Sequence, residues 1–379
     1  MIYLDNSATT KPYDAVLQSF QKVSESYYGN PSSVHSLGTD SERLLSKARQ
    51  QASRLLDVRT EEVIFTSGGT EGNNTAIKGI ALAHQNRGKH IITSQVEHPS
   101  VIEACRALEK IGFSVTYLPV DESGMISIEH LEAAITKETI LISIMHVNNE
   151  IGTIQPVEKI GEIAKKHPKL FFHVDHVQGY GKVPLKLSGS GIDLCTISGH
   201  KVHGLKGTGL LYIKEGTHLF PLLHGGEQEM VYRSGTENVA GAVSLVKAMR
   251  MTTESYATGK DHLKSLRNSM ISFLQKKENI YINTPETAAP HIINFSVPGF
   301  KPEVIIHALA EKGIFISTKS ACSSKKPDES AILIACGLGK ERAESALRVS
   351  LTYQNKLEEI QLFCTRFNEV IDQLSEVMG

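Results

Sequence analysis

Apolar positions fall into two regimes along the first two thirds of the chain. Short runs rich in β-branched residues recur as EEVIFTS (61–67), HIITSQ (90–95), FSVTYLPV (113–120), TILISIMHV (139–147), LFFHVD (170–175), IDLCTIS (192–198) and TGLLYI (208–213). Between several of them, apolar residues return at three- and four-residue spacing, which predicts helices over 70–85, 99–111, 127–136 and 156–166. Strands separated by helices of this length form βαβ units and a mainly parallel sheet. Runs such as ILISIM, apolar at successive positions, suit a sheet covered on both faces. A helical stretch over 238–278 predicts the join to a second region. That region holds HIINFSV, a helix at 302–312, IFISTK, ALRVSLT and an amphipathic helix at 356–377, a smaller α+β unit. The fold class expected is therefore α/β with a smaller α+β domain.

Composition narrows the function. The 379 residues are 40% hydrophobic, enough for a large core and about two domains. Lys plus Arg number 40 against 41 Asp plus Glu, so no global field draws in nucleic acid or an anionic membrane. MIYLDNSATT has neither a basic segment nor a long apolar run, and no stretch of about 18 apolar residues exists, so neither a secretion signal nor a membrane span is expected. Cys105, Cys195, Cys322, Cys336 and Cys364 are odd in number, widely spaced and free of CxxC, which predicts reduced thiols and a cytoplasmic location.

Three polar segments stand where predicted strands end. TSGGTEGNN (66–74) joins a strand to a helix. Ser67, Gly68, Gly69 and Thr70 offer backbone N–H groups and hydroxyls at a helix N-terminus, a place for a phosphate. The plainer reading is an ordinary cap with glycines in a tight turn. No Gly-Lys pair is followed by Ser or Thr, and no GxGxxG follows the first strand, so the nucleotide forms of such a loop are absent. HVDHVQ (173–178) ends a buried strand and puts His173 and Asp175 on one face, His176 on the other. An Asp at a parallel strand's carboxyl end is where open α/β sheets hold ligands. It also suits a turn cap, and a His-x-Asp-His metal site lacks an evident fourth ligand. SGHKVHGLKGTG (198–209) places Ser198, His200 and Lys201 beside a Gly-rich stretch, either a Schiff-base lysine with phosphate contacts or a solvated basic loop. Together the three segments supply what pyridoxal 5'-phosphate needs: a lysine to hold it covalently, an Asp for the pyridine nitrogen and a helix N-terminus for the phosphate.

Further segments extend the pattern over almost the whole chain: YLDNSATT (3–10), YGNPSSVHSLG (28–38), EHPSV (97–101), HVNNEIGTIQP (146–156), RSGTEN (233–238), SACSS (320–324) and LRVSL (347–351). With the three segments above, they make the chain resemble a group I cysteine desulfurase of the NifS/IscS type, in the class-V aminotransferase family of fold-type I pyridoxal phosphate enzymes. The resemblance implies a large cofactor-binding domain over 15–255 and a small domain from 1–14 and 256–379 that carries the cysteine loop. It implies that Lys201 holds the cofactor, His98 stacks on its ring, Asp175 pairs with the pyridine nitrogen and Gln178 meets the ring oxygen. Gly69, Thr70, Ser198 and His200 would hold the phosphate, completed by Thr236 of a neighbouring subunit in a homodimer. Asn149 and Arg348 would bind the substrate carboxylate, a task suited to a guanidinium. Cys322 would be the nucleophile that takes sulfur from L-cysteine as a persulfide, leaving alanine. The sulfur would pass to an acceptor protein, an iron–sulfur scaffold or a tRNA-thiolation enzyme.

The residues around Cys322 support that role independently. Lys319, Lys325 and Lys326 lie close in sequence and favour the thiolate. The other four cysteines sit on apolar strands or helices and read as core. The rival readings are a selenocysteine lyase or another enzyme of the superfamily, and a non-catalytic sulfur-transfer scaffold. Cys322 in SACSS argues against an aminotransferase, and the intact Lys201, Asp175, His98 and Cys322 argue against a scaffold. The chain departs from the family at His176, where a small residue is usual, at Leu205, where proline is common, in the charged SSKKPDES stretch and in YQNK after LRVSLT. If 173–178 is extended, His176 points away from the cofactor.

Overall fold

The computed structural model describes residues 1–318 and 329–378, with side chains through 376. At its centre is a seven-stranded sheet in the order Val63–Thr66, Gly209–Ile213, Leu194–Ser198, Phe171–Asp175, Thr139–Met145, His90–Ser94, Ser114–Leu118. All seven runs read from the sequence form strands, trimmed at their ends. The last five strands in this order pair in parallel, while Gly209–Ile213 is antiparallel to both of its neighbours. The reversal has a simple cause. Only the segment 199–208 separates Leu194–Ser198 from Gly209–Ile213, too short for the helical crossover a parallel pair needs.

Helices cover both faces. Ile77, Ile80 and Ala81 of Gly69–His84 pack with Ile91, Leu141 and Leu211 on one side. Val157 and Ile160 of Val157–Ala164 pack with Ile142, Ile144 and Val174 on the other. This two-sided burial explains why the strands read as continuous apolar runs. Two N-terminal helices, Asp14–Ser26 and Ser36–Leu56, lie outside the predicted elements. The second buries Ser41, Leu45, Ala48, Arg49 and Ala52. Its inward face is helically spaced but mostly small or polar, so the hydrophobic signal is weak.

The long helix Val239–Leu274 serves two cores. Leu245, Val246 and Met249 pack with Ile197 and Leu210 of the main sheet. Leu263, Leu266 and Met270 join a separate cluster with Phe295, Leu347, Phe363 and Phe367. That cluster lies under a three-stranded antiparallel sheet ordered Ala346–Ser350, Ile292–Ser296, Tyr281–Ile282. The chain's start is sewn onto this part. Ile2–Tyr3 pairs in parallel with Ile314–Phe315, and Asp5 bridges to Ser350. The segment 4–10 is thereby carried back to the main sheet, where Thr10 N–H bonds the His200 oxygen at 2.8 Å. No helix among the described residues is long and apolar enough to cross a membrane.

Candidate active site

Thr66, Met145, Asp175 and Ser198 each end a strand of the main sheet at the same edge, and His98 follows a fifth strand at that edge. The turn at Ser7–Thr9 and Arg348 of the smaller sheet close the space in front of them, leaving a cavity of about 560 Å³. Its position is the one expected for a ligand in a mainly parallel sheet.

One wall is the start of helix Gly69–His84. The turn before it needs glycine: Gly68 has φ +148°, and a Cβ on Gly209 would lie 2.6 Å from the Gly68 Cα. Thr70 lines the cavity beside the first N–H groups of the helix. Glu71 caps the turn from the side. Its carboxylate accepts from Ser67 N–H at 2.9 Å and from Arg233 Nε at 3.0 Å. Burial pushes the Glu71 carboxyl up, but these bonds outweigh it and leave the group below its usual range.

The second wall is built on Asp175. Asn73 Nδ2 donates to its Oδ2 at 2.7 Å, and Val177 N–H donates to its Oδ1 at 3.0 Å. Asn73 also donates to Ser100 Oγ at 2.9 Å. His98 caps helix Pro99–Glu109, and its Nδ1 accepts from Ser100 N–H at 3.1 Å. The proton of the neutral ring therefore sits on Nε2. Burial lowers the His98 pKa, Asp175 opposes that, and Lys201 adds to it. His173 shares the Asp175 face but is occupied within the sheet, with Nδ1 2.8 Å from Ser143 Oγ and Nε2 3.0 Å from Thr196 Oγ1.

The third wall carries Lys201, at the end of the one-turn 3₁₀ helix Gly199–Lys201. Its amine donates to the main-chain oxygens of Ser7 and, at 2.8 Å, of Ala8. Gln178 Nε2 donates to the same Ser7 oxygen at 3.0 Å. The His200 ring lies 3.3 Å from Thr9 Oγ1. Burial, then the charges of Lys201 and Lys206, push His200 down to about 3. Opposite stands Arg348, 1% exposed. It donates from Nη1 to the Asn149 oxygen at 2.7 Å, and from Nη2 to Asp5 Oδ1 at 3.0 Å and Ser317 Oγ at 2.9 Å.

Lys201, His98, Asp175, Gln178, Gly69, Thr70, Ser198, His200, Asn149 and Arg348 all line this one cavity. Thr236 is exposed and does not line the cavity of its own chain. Cys322 and its neighbouring lysines lie outside the described residues. Cys105, Cys195 and Cys336 are buried, and Cys364 is half-buried against the small-sheet core. Burial pushes their thiols up, to about 12 for Cys105 and Cys336 and about 11 for Cys364. The sequence reading passed over Asn73, Ser100, Ser7 and Asp5. Asn73 was within reach of it, four residues after Gly69 and so on the same helix face. The others needed the tertiary fold.

Comparison with known proteins decides the family. The class-V aminotransferase model matches residues 2–363. The chain belongs to the class-V aminotransferase family. It is 46% identical to a "NifS/IcsS protein homolog" of Lactobacillus delbrueckii subsp. bulgaricus, over 100% of this chain and 99% of that protein. It is 43% identical to cysteine desulfurase IscS of Methanosarcina thermophila, over 98% of this chain and 92% of that protein. A solved NifS-like protein superposes with a TM-score of 0.92 at 37% identity, over 98% of this chain and 99% of that one. The fold-type I architecture, the pyridoxal phosphate-dependent cysteine desulfurase class and the cofactor expected from the sequence therefore stand.

The residues present fit that cofactor. Ser7 Oγ, Asn73 Oδ1, Gln178 Oε1, Ser198 Oγ and Arg348 Nε are buried without a partner among the described residues, and all five belong to residues lining the cavity. Buried polar atoms are nearly always paired, so such a cluster around one space calls for a polar ligand. The helix N-terminus offers anion binding, Asp175 an acceptor for a ring N–H, and Lys201 an amine.

Proposed function

We propose that this cavity converts L-cysteine to L-alanine, with the sulfur carried away on Cys322. The observation that carries the reading is the convergence of the Lys201 amine, the Asp175 carboxylate and a helix N-terminus on one cavity with unpaired buried polar groups.

Ser198, Thr70, His200 and the first N–H groups of the helix would hold the cofactor phosphate. Asp175, fixed by Asn73 and Val177, would accept a hydrogen bond from the cofactor's ring nitrogen, and His98 would help hold the ring. A pyridoxal phosphate held there would supply an electron sink that makes the amino acid's α-hydrogen acidic. Lys201 takes that proton at Nζ and later returns it on the product side. Arg348, with Nε unpaired, and the Asn149 side chain bind the substrate carboxylate. The Cys322 thiolate attacks the substrate sulfur. A sulfur–sulfur bond forms and the carbon–sulfur bond breaks. The electron pair stays on the carbon and is protonated to give alanine. The products are alanine and a Cys322 persulfide, which passes its outer sulfur to a thiol of an acceptor protein. An iron–sulfur scaffold and a tRNA-thiolation enzyme are the two candidates, and transfer of labelled sulfur to each in turn separates them.

A second copy of the chain completes the site. Tyr28, Val34 and Leu37 are exposed, as are Met230 and Val231. Pro31 and Gln228 line one shallow cleft, so the two segments are neighbours. A homodimer covers this apolar surface and turns Thr236 toward the other cavity. Thr236→Ala is expected to weaken cofactor retention while leaving the dimer intact in ultracentrifugation.

The deciding assay is release of alanine and sulfide from L-cysteine with added thiol. Wild type is expected to form both in equal amounts, and Cys322→Ser to lose about 10²-fold or more, since no other group replaces the nucleophile. A Cys322→Ser protein as active as wild type sinks the assignment of Cys322.

A further inference from the structure

The loop after Asp175 carries a charge that the chemistry above does not use. Lys182 is 6% exposed, and its Nζ donates to the main-chain oxygen of Lys201 at 3.0 Å. Among the described residues no carboxylate lies within ion-pair distance of it. A buried ammonium without a counter-charge is expensive, and proteins keep such groups chiefly where they serve a site. Burial pushes Lys182 down to about 8, so it keeps its charge at neutral pH.

The surroundings hold this amine in place. Gly179 O accepts from the N–H groups of Lys182 and Val183 at 3.0 and 2.8 Å. Tyr353 OH donates to Gly181 O at 2.7 Å. Gly181 has φ +67°, and a Cβ there would lie 2.4 Å from Thr252 Cγ2. Thr252 Oγ1 in turn donates to Val202 O at 2.9 Å. Two successive carbonyls, of Lys201 and Val202, are thus gripped by side chains from two different elements. The titratable groups that the Lys182 charge reaches are His176 on its own loop, His200 and His203 on the turn, and His291 ahead of the small-sheet strand. Tyr180 and Tyr256 share a small pocket with it. Burial is the main cause of the low pKa of these four histidines, and the Lys182 charge pushes each further down.

We propose that Lys182 is a positioning residue of the reaction: its ammonium grips the main-chain oxygen of Lys201, fixes the backbone from which the Lys201 amine works, and sets a positive charge behind it. The proposal rests on Lys201 being the cofactor lysine. It does not depend on the identity of the sulfur acceptor.

The test compares holoenzyme with Lys182→Met, Lys182→Gln and Lys182→Arg, each loaded with pyridoxal phosphate. Thermal unfolding checks the fold, the absorbance of the bound cofactor is titrated against pH, and kcat and KM are measured for L-cysteine. Removing a neighbouring positive charge raises a cationic group's pKa, so Lys182→Met and Lys182→Gln should move the titration midpoint up by about half a pH unit or more. Lys182→Met should lose about tenfold in kcat with KM within about twofold, because orientation rather than substrate binding is lost. Lys182→Arg, which keeps the charge, should stay near the native midpoint. A folded, loaded Lys182→Met with native midpoint and native kcat overturns the proposal. Lys182→Gln decides if Lys182→Met does not fold, and a raised midpoint in Lys182→Arg also counts against it. Borohydride reduction of native holoenzyme and peptide mapping test the underlying reading separately. Label on Lys201 with unmoved midpoints sinks only the role of Lys182, whereas label on another lysine sinks both.

Discussion

Asp175 shows how much of the site rests on single hydrogen bonds. Its two oxygens are taken by Asn73 Nδ2 and by Val177 N–H, which hold the carboxylate at the strand end in one orientation. Asn73 is itself 1% exposed, and its Nδ2 is shared between Asp175 and Ser100 Oγ. A hydrogen bond to a charged group contributes about 1.5–3 kcal/mol, so Asn73→Ala should weaken pyridoxal phosphate binding by about tenfold or more. Equilibrium dialysis with cofactor absorbance measures this, and unchanged affinity would mean that Asp175 needs no such support. His176 illustrates the opposite case. It is absent from the cavity lining, and its Nδ1 lies 2.9 Å from His146 Nδ1, so one ring donates and the other accepts. The room for this pair comes from Gly179, where a Cβ would lie 2.4 Å from His176 Nδ1.

Among elements, the segment ahead of Thr236 stands out for its backbone. Glu229, Met230 and Val231 have φ of 46°, 56° and 65°, three successive non-glycine residues in the left-handed region. For a β-branched residue such as Val231 this is a true outlier. The buried Glu229 carboxylate holds the turn. It accepts from Arg49 Nη1 and Nη2 at 2.6 and 2.8 Å and from Phe65 N–H at 2.8 Å. Such strain costs about 1–3 kcal/mol per residue and is kept where neighbours over-determine the backbone. Val231→Gly should relieve part of it and stabilise the protein by about 1 kcal/mol, less what glycine's freedom gives the unfolded chain. Denaturant melts would read this as a higher midpoint at constant slope. A lower midpoint would show that the Val231 side chain contributes more than its backbone costs.

At the scale of the whole molecule, the many buried histidines set the acid limit. Burial pushes His146 down to about 4 and His173 to about 3, from an ordinary 6.5. His176 is also pushed well below 6.5, by burial first and then by the His146 and Lys182 charges. Between these folded values and 6.5 the unfolded chain binds more protons, so stability rises with pH there and falls as pH drops below 6.5. Glu97 has the opposite sign. Burial raises its carboxyl from 4.5 to about 8, so the folded state binds the extra proton and stability declines as pH rises from 4.5 through 8. With several histidines against one carboxyl, stability should fall from about pH 6.5 downward, read as denaturant midpoint against pH. Glu97→Gln should flatten the alkaline side. A midpoint independent of pH between about 4 and 6.5 would mean that these histidines titrate normally.

The chain by itself determined the strands of the main sheet, most of the helices and, of the residues that line the cavity, Gly69, Thr70, Asp175, Ser198, His200 and Lys201. It could do so because a strand covered on both faces must be apolar throughout, and because groups at strand ends are local in sequence. His98, Gln178, Asn149 and Arg348 came only with the family resemblance. It also carried the family, through motifs spread over nearly the whole length. Where the signal was non-local, the sequence was silent. The reversed strand Gly209–Ile213 follows from a short connection, and the helix Ser36–Leu56 buries small and polar residues that no hydrophobic pattern marks. Ser7 reaches Lys201, and Asp5 reaches Arg348, across separations of 194 and 343 residues. Lys182 meets the Lys201 carbonyl only because two loops fold onto one another. Contacts of that kind depend on how the two cores and the N-terminal strand pack together, which no local pattern of residues encodes.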